Sequence, residues 1–228
     1  MNTAVTLLVA GLTASGADWL LRGHPMMKSR STIQHWVLPG LTAWVLGITL
    51  HALPPDGLLW WVVFAIGASL LLLVLVAEYT VVDATDPRFS AASVGLTALS
   101  FALFLILAIS LRANETRLLL MLPGLVLAVG AICLRTIVLC LQQQGMSTAE
   151  NGATAVLAAL AVAFVMGQMT TALHYWPVSP VSFGLALLGP AYALTAFLSS
   201  LTDGRKTSQA LLEPGLESAD LFGKLLLS

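Results

Sequence analysis

Residues 57–77 read GLLWWVVFAIGASLLLLVLVA, a run with no charge and no proline, and Glu78 closes it. A helical membrane span needs about 20 apolar residues, and this stretch supplies one without interruption. The rest of the chain repeats the pattern. Met1–Ala17 is uncharged and ends at Asp18, Trp19 and Arg22. Ser31–Pro55 holds only His35 and His51 as ionisable groups. Phe89–Leu111 is uncharged and closed by Arg112. Leu118–Leu141 is interrupted by Arg135 alone. Residues 151–202 carry no formal charge, and His174-Tyr175-Trp176-Pro177 divides them into two further segments. The pattern predicts an all-α, polytopic bundle of about seven transmembrane helices.

Composition agrees. Of 228 residues, 58% are hydrophobic and 9% charged, and the mean hydropathy is +0.91. A soluble domain carries about 25% charged residues, so a water-soluble globule is excluded. Disordered, disulfide-stapled and nucleic-acid-binding classes are excluded with it. Cys133 and Cys140 lie seven positions apart in one segment. On a helix their Cα atoms stand about 10 Å apart, too far for a disulfide. Seven spans use roughly 145 residues, so no soluble domain fits beside them. The expected organisation is one transmembrane domain over residues 1–204 and a cytoplasmic tail over 205–228. In that tail Leu211, Leu212, Leu216, Leu221 and Phe222 mix with Glu213, Glu217 and Asp220, and Pro214-Gly215 breaks any helix; the half beyond it reads as an interfacial amphipathic helix or as a frayed tail.

Orientation follows from Lys and Arg near the segment ends. With the N-terminus outside, Arg22, Lys28, Arg30, Arg88, Arg205, Lys206 and Lys224 fall inside, and Arg112 and Arg117 outside. The reading is N-outside, C-inside, as in a bacterial inner (cytoplasmic) membrane. The first segment lacks a basic n-region and reads as an uncleaved span. Trp19, Trp36, Trp60, Trp61 and Trp176 fall near segment ends, where indoles suit the headgroup layer; Trp44 sits mid-segment.

Two patterns concern packing. Ala155, Ala159, Ala163, Gly167 and Thr171 recur every four residues and form a small-residue stripe, which points to a central helix. Leu38-Pro39-Gly40-Leu41 returns as Leu122-Pro123-Gly124-Leu125. That offset would map the first three segments onto the next three with inverted topology, a transporter signature.

The ionisable residues fall in two layers. Asp18, Glu78, Arg135 and Glu150 form the candidate inner cluster. Arg135 lies about 9 Å below the inner surface. Snorkelling to headgroup phosphates is the commonest outcome for such an arginine. Pairing with Glu78 or Asp18 is the alternative, either to position helices or to gate a path. His24 and His35 read as interfacial. His51, His174 and Tyr175 form the candidate outer cluster, with the two histidines at similar depth on different segments. Haem or metal ligation by such a pair is the less common reading. Asp83 and Asp86 lie in an inner loop, but no second aspartate-rich loop completes a Mg²⁺-transferase pattern. No lysine lies inside a span, which excludes a retinal Schiff base. There is no Walker loop, G-x-G-x-x-G, H-E-x-x-H or G-x-S-x-G. No catalytic residue, cofactor or metal site is assigned.

Residues 77–83 (Ala77-Glu78-Tyr79-Thr80-Val81-Val82-Asp83), the lone Arg135, and Gly189-Pro190-Ala191-Tyr192 leading to Asp203-Gly204-Arg205 resemble an uncharacterised bacterial multi-pass membrane family. The family is of the domain-of-unknown-function kind. The resemblance implies an integral membrane protein and carries no activity with it. The functional expectation is a non-enzymatic accessory subunit, or a scaffold binding a lipid or small molecule. Its partners are the bilayer and another membrane subunit or lipid, not nucleic acid. The alternatives are a secondary transporter with an inner Arg/carboxylate gate, and a membrane enzyme acting on lipid headgroups.

Overall fold

Each apolar segment forms one helix. The computed structural model describes residues 3–23, 33–51, 53–54, 57–83, 87–143 and 148–202. In chain order the helices are α1 (Thr3–Arg22), α2 (Ile33–His51), α3 (Leu58–Val81), α4 (Phe89–Ala113), α5 (Leu118–Gln143), α6 (Thr148–His174) and α7 (Pro180–Thr202). Among the described residues five of them, α3 to α7, are long and apolar enough to cross a membrane. The chain is thus all-α and compatible with a multi-pass membrane protein. The helices α1 and α2 are shorter, at 20 and 19 residues. The tail predicted to lie on the membrane, with Asp86, His24 and the three lysines, falls outside the described residues.

Every helix packs on its successor; in addition α2 packs on α4 and α5, and α7 on α4 and α5. The centre is therefore α2, α4, α5 and α7, with α1, α3 and α6 around it. Of α5's apolar window 61% is buried, against 28% for α6. This corrects the expectation that the small-residue helix is the central one. Ala155, Ala159 and Ala163 are buried, and α6 packs on α5 and α7. A Cβ on Gly130 of α5 would stand 3.3 Å from Ala163 Cβ, and one on Gly167 would stand 3.2 Å from Val126 Cγ2. Small residues on both helices let the backbones approach. The other side of α6 exposes Leu157, Leu160 and Phe164.

The helix α3 shows the same logic in extreme form. Only Gly67, Val74, Glu78 and Val81 are buried, a single stripe. Leu58, Leu59, Trp61, Ile66, Leu72, Leu73 and Val76 are exposed. A face of that size is an aggregation site in water and an ordinary surface in lipid. The charged residue faces in and the leucines face out. Serine and threonine hydroxyls inside the helices bond carbonyls one turn back, as in Thr42→Leu38, Ser100→Leu96 and Thr195→Ala191, at 2.7–2.8 Å. They therefore enter the core satisfied.

The Leu-Pro-Gly-Leu pair does not carry into the packing. Pro39 and Pro123 both lie inside helices. Gly40 faces Ala10 and Ala14 of α1, whereas Gly124 faces Trp44 of α2. The helix α1 packs most on α2, but α4, its counterpart under the offset, packs most on α7. The contact at Gly124 also accounts for Trp44, the tryptophan away from a segment end. Its ring seals α2 against α5, and a Cβ on Gly124 would stand 2.9 Å from Trp44 Cη2. Gly124→Val should lower the thermal midpoint in detergent, through overpacking of about 1–3 kcal/mol. Trp44→Phe in the same chain should recover part of the loss. An unchanged midpoint in Gly124→Val would show that this contact does not hold the two helices.

Candidate functional site

Three ionisable side chains meet inside the bundle, one each from α2, α3 and α5. Glu78 Oε1 accepts from Arg135 Nη2 at 2.7 Å and from Arg135 Nε at 3.2 Å. Glu78 Oε2 lies 2.7 Å from His35 Nδ1. A carboxylate already holding a guanidinium is an acceptor, so His35 Nδ1 is the donor. His35, Glu78 and Arg135 are no more than 2% exposed. The guanidinium is permanently charged, and its proximity keeps the carboxylate charge balanced. With the imidazole neutral, the cluster carries no net charge. Arg135 Nη1 is buried and meets no acceptor among the described residues.

Of the four residues expected in the inner cluster, Glu78 and Arg135 are brought into direct contact. Arg135 does not snorkel: it is among the largest fully buried side chains of the protein. Asp18 occupies an adjacent position. Its Oδ1 accepts from Trp36 Nε1 at 3.1 Å, one residue beyond His35, and its Oδ2 pairs with Arg22 Nε at 2.7 Å. Arg22 is 69% exposed, so that pair contributes little stability. Glu150 lies in the first turn of α6, and its side chain is outside the described residues. His35 was expected at the interface and is instead the third member of the buried cluster. The signal in the sequence was that His35 lies toward the inner side, as Glu78 and Arg135 do. What the sequence withholds is which side of α2 turns inward.

The expected outer residues do not converge. His51, exposed at the end of α2, lines an apolar groove between α1, α2 and α3. His174, at the end of α6, lines a separate polar cavity with Arg112 and Arg117. Tyr175 packs edge-on against His174, with ring centroids 5.4 Å apart. No group of three or more His, Cys, Asp or Glu that could hold a metal occurs among the described residues. The sequence also missed the place of Arg112. It donates to the carbonyls of His174 and Trp176 at 3.1 and 3.3 Å, and lies over the Phe183 ring at 5.6 Å. An arginine there satisfies carbonyls at and beyond the C-terminus of α6.

The apolar groove between α1, α2 and α3 has a volume of about 690 Å³. Val9, Ala43, Leu46, Leu50, Trp60 and Phe64 form much of its wall. Trp60 and Phe64 stack with ring planes 5° apart. Thr6, Thr13 and His51 are its polar elements.

The fold and these sites define a helical bundle of membrane type with a buried ion cluster and apolar grooves. The chain belongs to a family described as protein of unknown function (DUF5656), whose profile matches residues 1–227. No curated protein and no solved structure matches it.

Removing one member of the buried cluster leaves an uncompensated charge in an apolar interior. Arg135→Leu should therefore cost about 3–5 kcal/mol and lower folded yield in detergent. Arg135→Leu combined with Glu78→Leu removes both charges and should recover most of the thermal midpoint. A double variant no better than the single one would show that the pair is not what holds the helices.

Proposed function

We propose that the protein is a non-enzymatic scaffold of a bacterial inner membrane that holds an apolar molecule, with the acyl chain of a lipid as its occupant. In this reading all seven helices span, the N-terminus is outside and the C-terminus inside, and the partners are lipid and another membrane subunit. The groove between α1, α2 and α3 carries the proposal. It is concave and apolar, within the 300–1,000 Å³ range of small-molecule sites, with a few polar groups. Val5, Val9 and Phe64 of its wall are exposed, where lipid tails would lie. The ion cluster supports a scaffold rather than a reaction centre, because both oxygens of Glu78 are already engaged.

Native mass spectrometry in a mild detergent tests this. The wild-type protein should retain a lipid or small apolar molecule. Ala68→Trp, placed in the groove wall, should retain one such molecule fewer while keeping the same thermal midpoint. Retention undiminished in that variant would remove the groove as the binding site.

A second reading, secondary transport through an inner gate, is favoured by one observation, that Arg135 Nη1 meets no acceptor among the described residues. A gate arginine that meets substrate should tolerate Arg135→Leu with full folded yield and lost flux. The scaffold reading expects the yield itself to fall.

A further inference from the structure

The end of the bundle formed by the α4–α5 and α6–α7 connections holds a cavity of about 600 Å³ that the ion cluster and the α1–α3 groove do not touch. Its walls come from Arg112, Glu115, Thr116, Arg117, His174 and Pro180. The local chain geometry builds it. The helix α4 stops at Asn114 through a six-to-one bond from Thr116 N–H to Leu111 O at 3.2 Å and a bond from Glu115 N–H to Arg112 O at 3.1 Å. That closure puts Glu115 at φ 48°, where glycine is the usual occupant. The Thr116 hydroxyl adds a 2.6 Å bond to Leu111 O. The turn brings Arg117 to the start of α5, beside Arg112.

The cavity is electropositive. Two arginines face one carboxylate, Glu115, leaving one positive charge with His174 neutral. Arg112 spends two N–H groups on the carbonyls of His174 and Trp176, out of the five a guanidinium carries. His174 Nδ1 is buried and meets no partner among the described residues. A buried ring nitrogen without a partner is costly, and with its proton on Nδ1 the ring would be satisfied by an acceptor, as the two arginines beside it would be.

The surroundings say what kind of acceptor. Tyr175 and Trp176 are 77% and 64% exposed, side by side, as aromatic residues at a headgroup layer are. From Tyr175 an apolar groove of about 610 Å³ runs along α5 and α6, past Leu122, Val126, Phe164 and Gly167. A positive cavity and a long apolar groove at one end of the bundle match the two parts of a phospholipid. Free phosphate needs only the first.

We propose that Arg112, Arg117 and His174 form a site for the headgroup of an anionic phospholipid, whose acyl chain lies in the α5–α6 groove. The phosphate oxygens accept from Arg117, from the remaining N–H groups of Arg112 and from His174 Nδ1–H. The inference rests on the membrane reading of the chain and is independent of the α1–α3 groove.

The test uses the full chain in detergent, native mass spectrometry, and equal amounts of dioleoylphosphatidylglycerol and dioleoylphosphatidylcholine. Wild type should retain the anionic lipid in preference. Arg117→Gln with His174→Gln should reduce that preference about tenfold, the loss of one charge-assisted hydrogen bond. Arg22→Gln, a charge removed at the opposite end of α1, should leave it unchanged, and so should Ala68→Trp, which separates this site from the α1–α3 groove. No preference in wild type overturns the proposal. Equal loss in Arg22→Gln also overturns it, since the attraction is then only general charge. Displacement of the lipid by equimolar inorganic phosphate shows a free-anion site and overturns the lipid assignment. Should the double variant fold poorly, the exposed single variant Arg117→Gln decides by the same ratio.

Discussion

Glu78 is the side chain on which the arrangement of the helices depends. Its two oxygens reach two other helices, Arg135 on α5 and His35 on α2. In a bilayer there is no hydrophobic gain from burying leucine against leucine, because lipid tails are as apolar as the core. A carboxylate, by contrast, is strongly disfavoured in lipid and must find its partners inside. The rotation of α3 about its own axis follows: the Glu78 stripe turns in, and a leucine-rich face turns out. The same reasoning orients α5, because Arg135 has no route to a headgroup from its buried position.

The two ends of the bundle use arginine differently. At one end Arg135 is dry, and its charge is balanced by a carboxylate from another helix. At the other end Arg112 is half-buried, closes the end of α6 through carbonyls and lies over an aromatic ring. The first geometry couples three helices and leaves little freedom for a ligand. The second leaves donors unspent beside an open cavity. Packing between the ends is by small residues, and the α5–α6 contact is close because Gly130 and Ala163 oppose each other.

Much of this was legible from the chain alone. Every segment bounded by charges became a helix, because only a helix satisfies its own backbone in an apolar run. The Glu78–Arg135 pair was legible as one of several options, since both residues fall in the same layer. His35 was misplaced because depth along a helix is readable from sequence, whereas azimuth is weakly encoded where all faces are apolar. The alanine and glycine stripe on α6 was legible as a small-residue surface, but which helices it meets is not a sequence property. Trp44 looked anomalous until Gly124 was found beneath its ring.

The sequence by itself determined the class. Charge content of 9% and long uncharged runs permit a helical bundle in lipid and little else. It also located each helix, through charges, prolines and aromatic residues near the segment boundaries, although α1 runs past Asp18 to Arg22 and α3 past Glu78 to Val81. The tertiary structure alone decided which helix lies at the centre, and that His35 joins Glu78 and Arg135. It alone separated His51 from His174 and set Arg112 and Arg117 around a common cavity. The reason is physical. A run of apolar residues specifies a helix through local backbone hydrogen bonds, but the faces of such helices differ little in hydrophobicity. Which faces meet is then settled by a few polar partners and by the fit of small residues, and both are relations between distant parts of the chain.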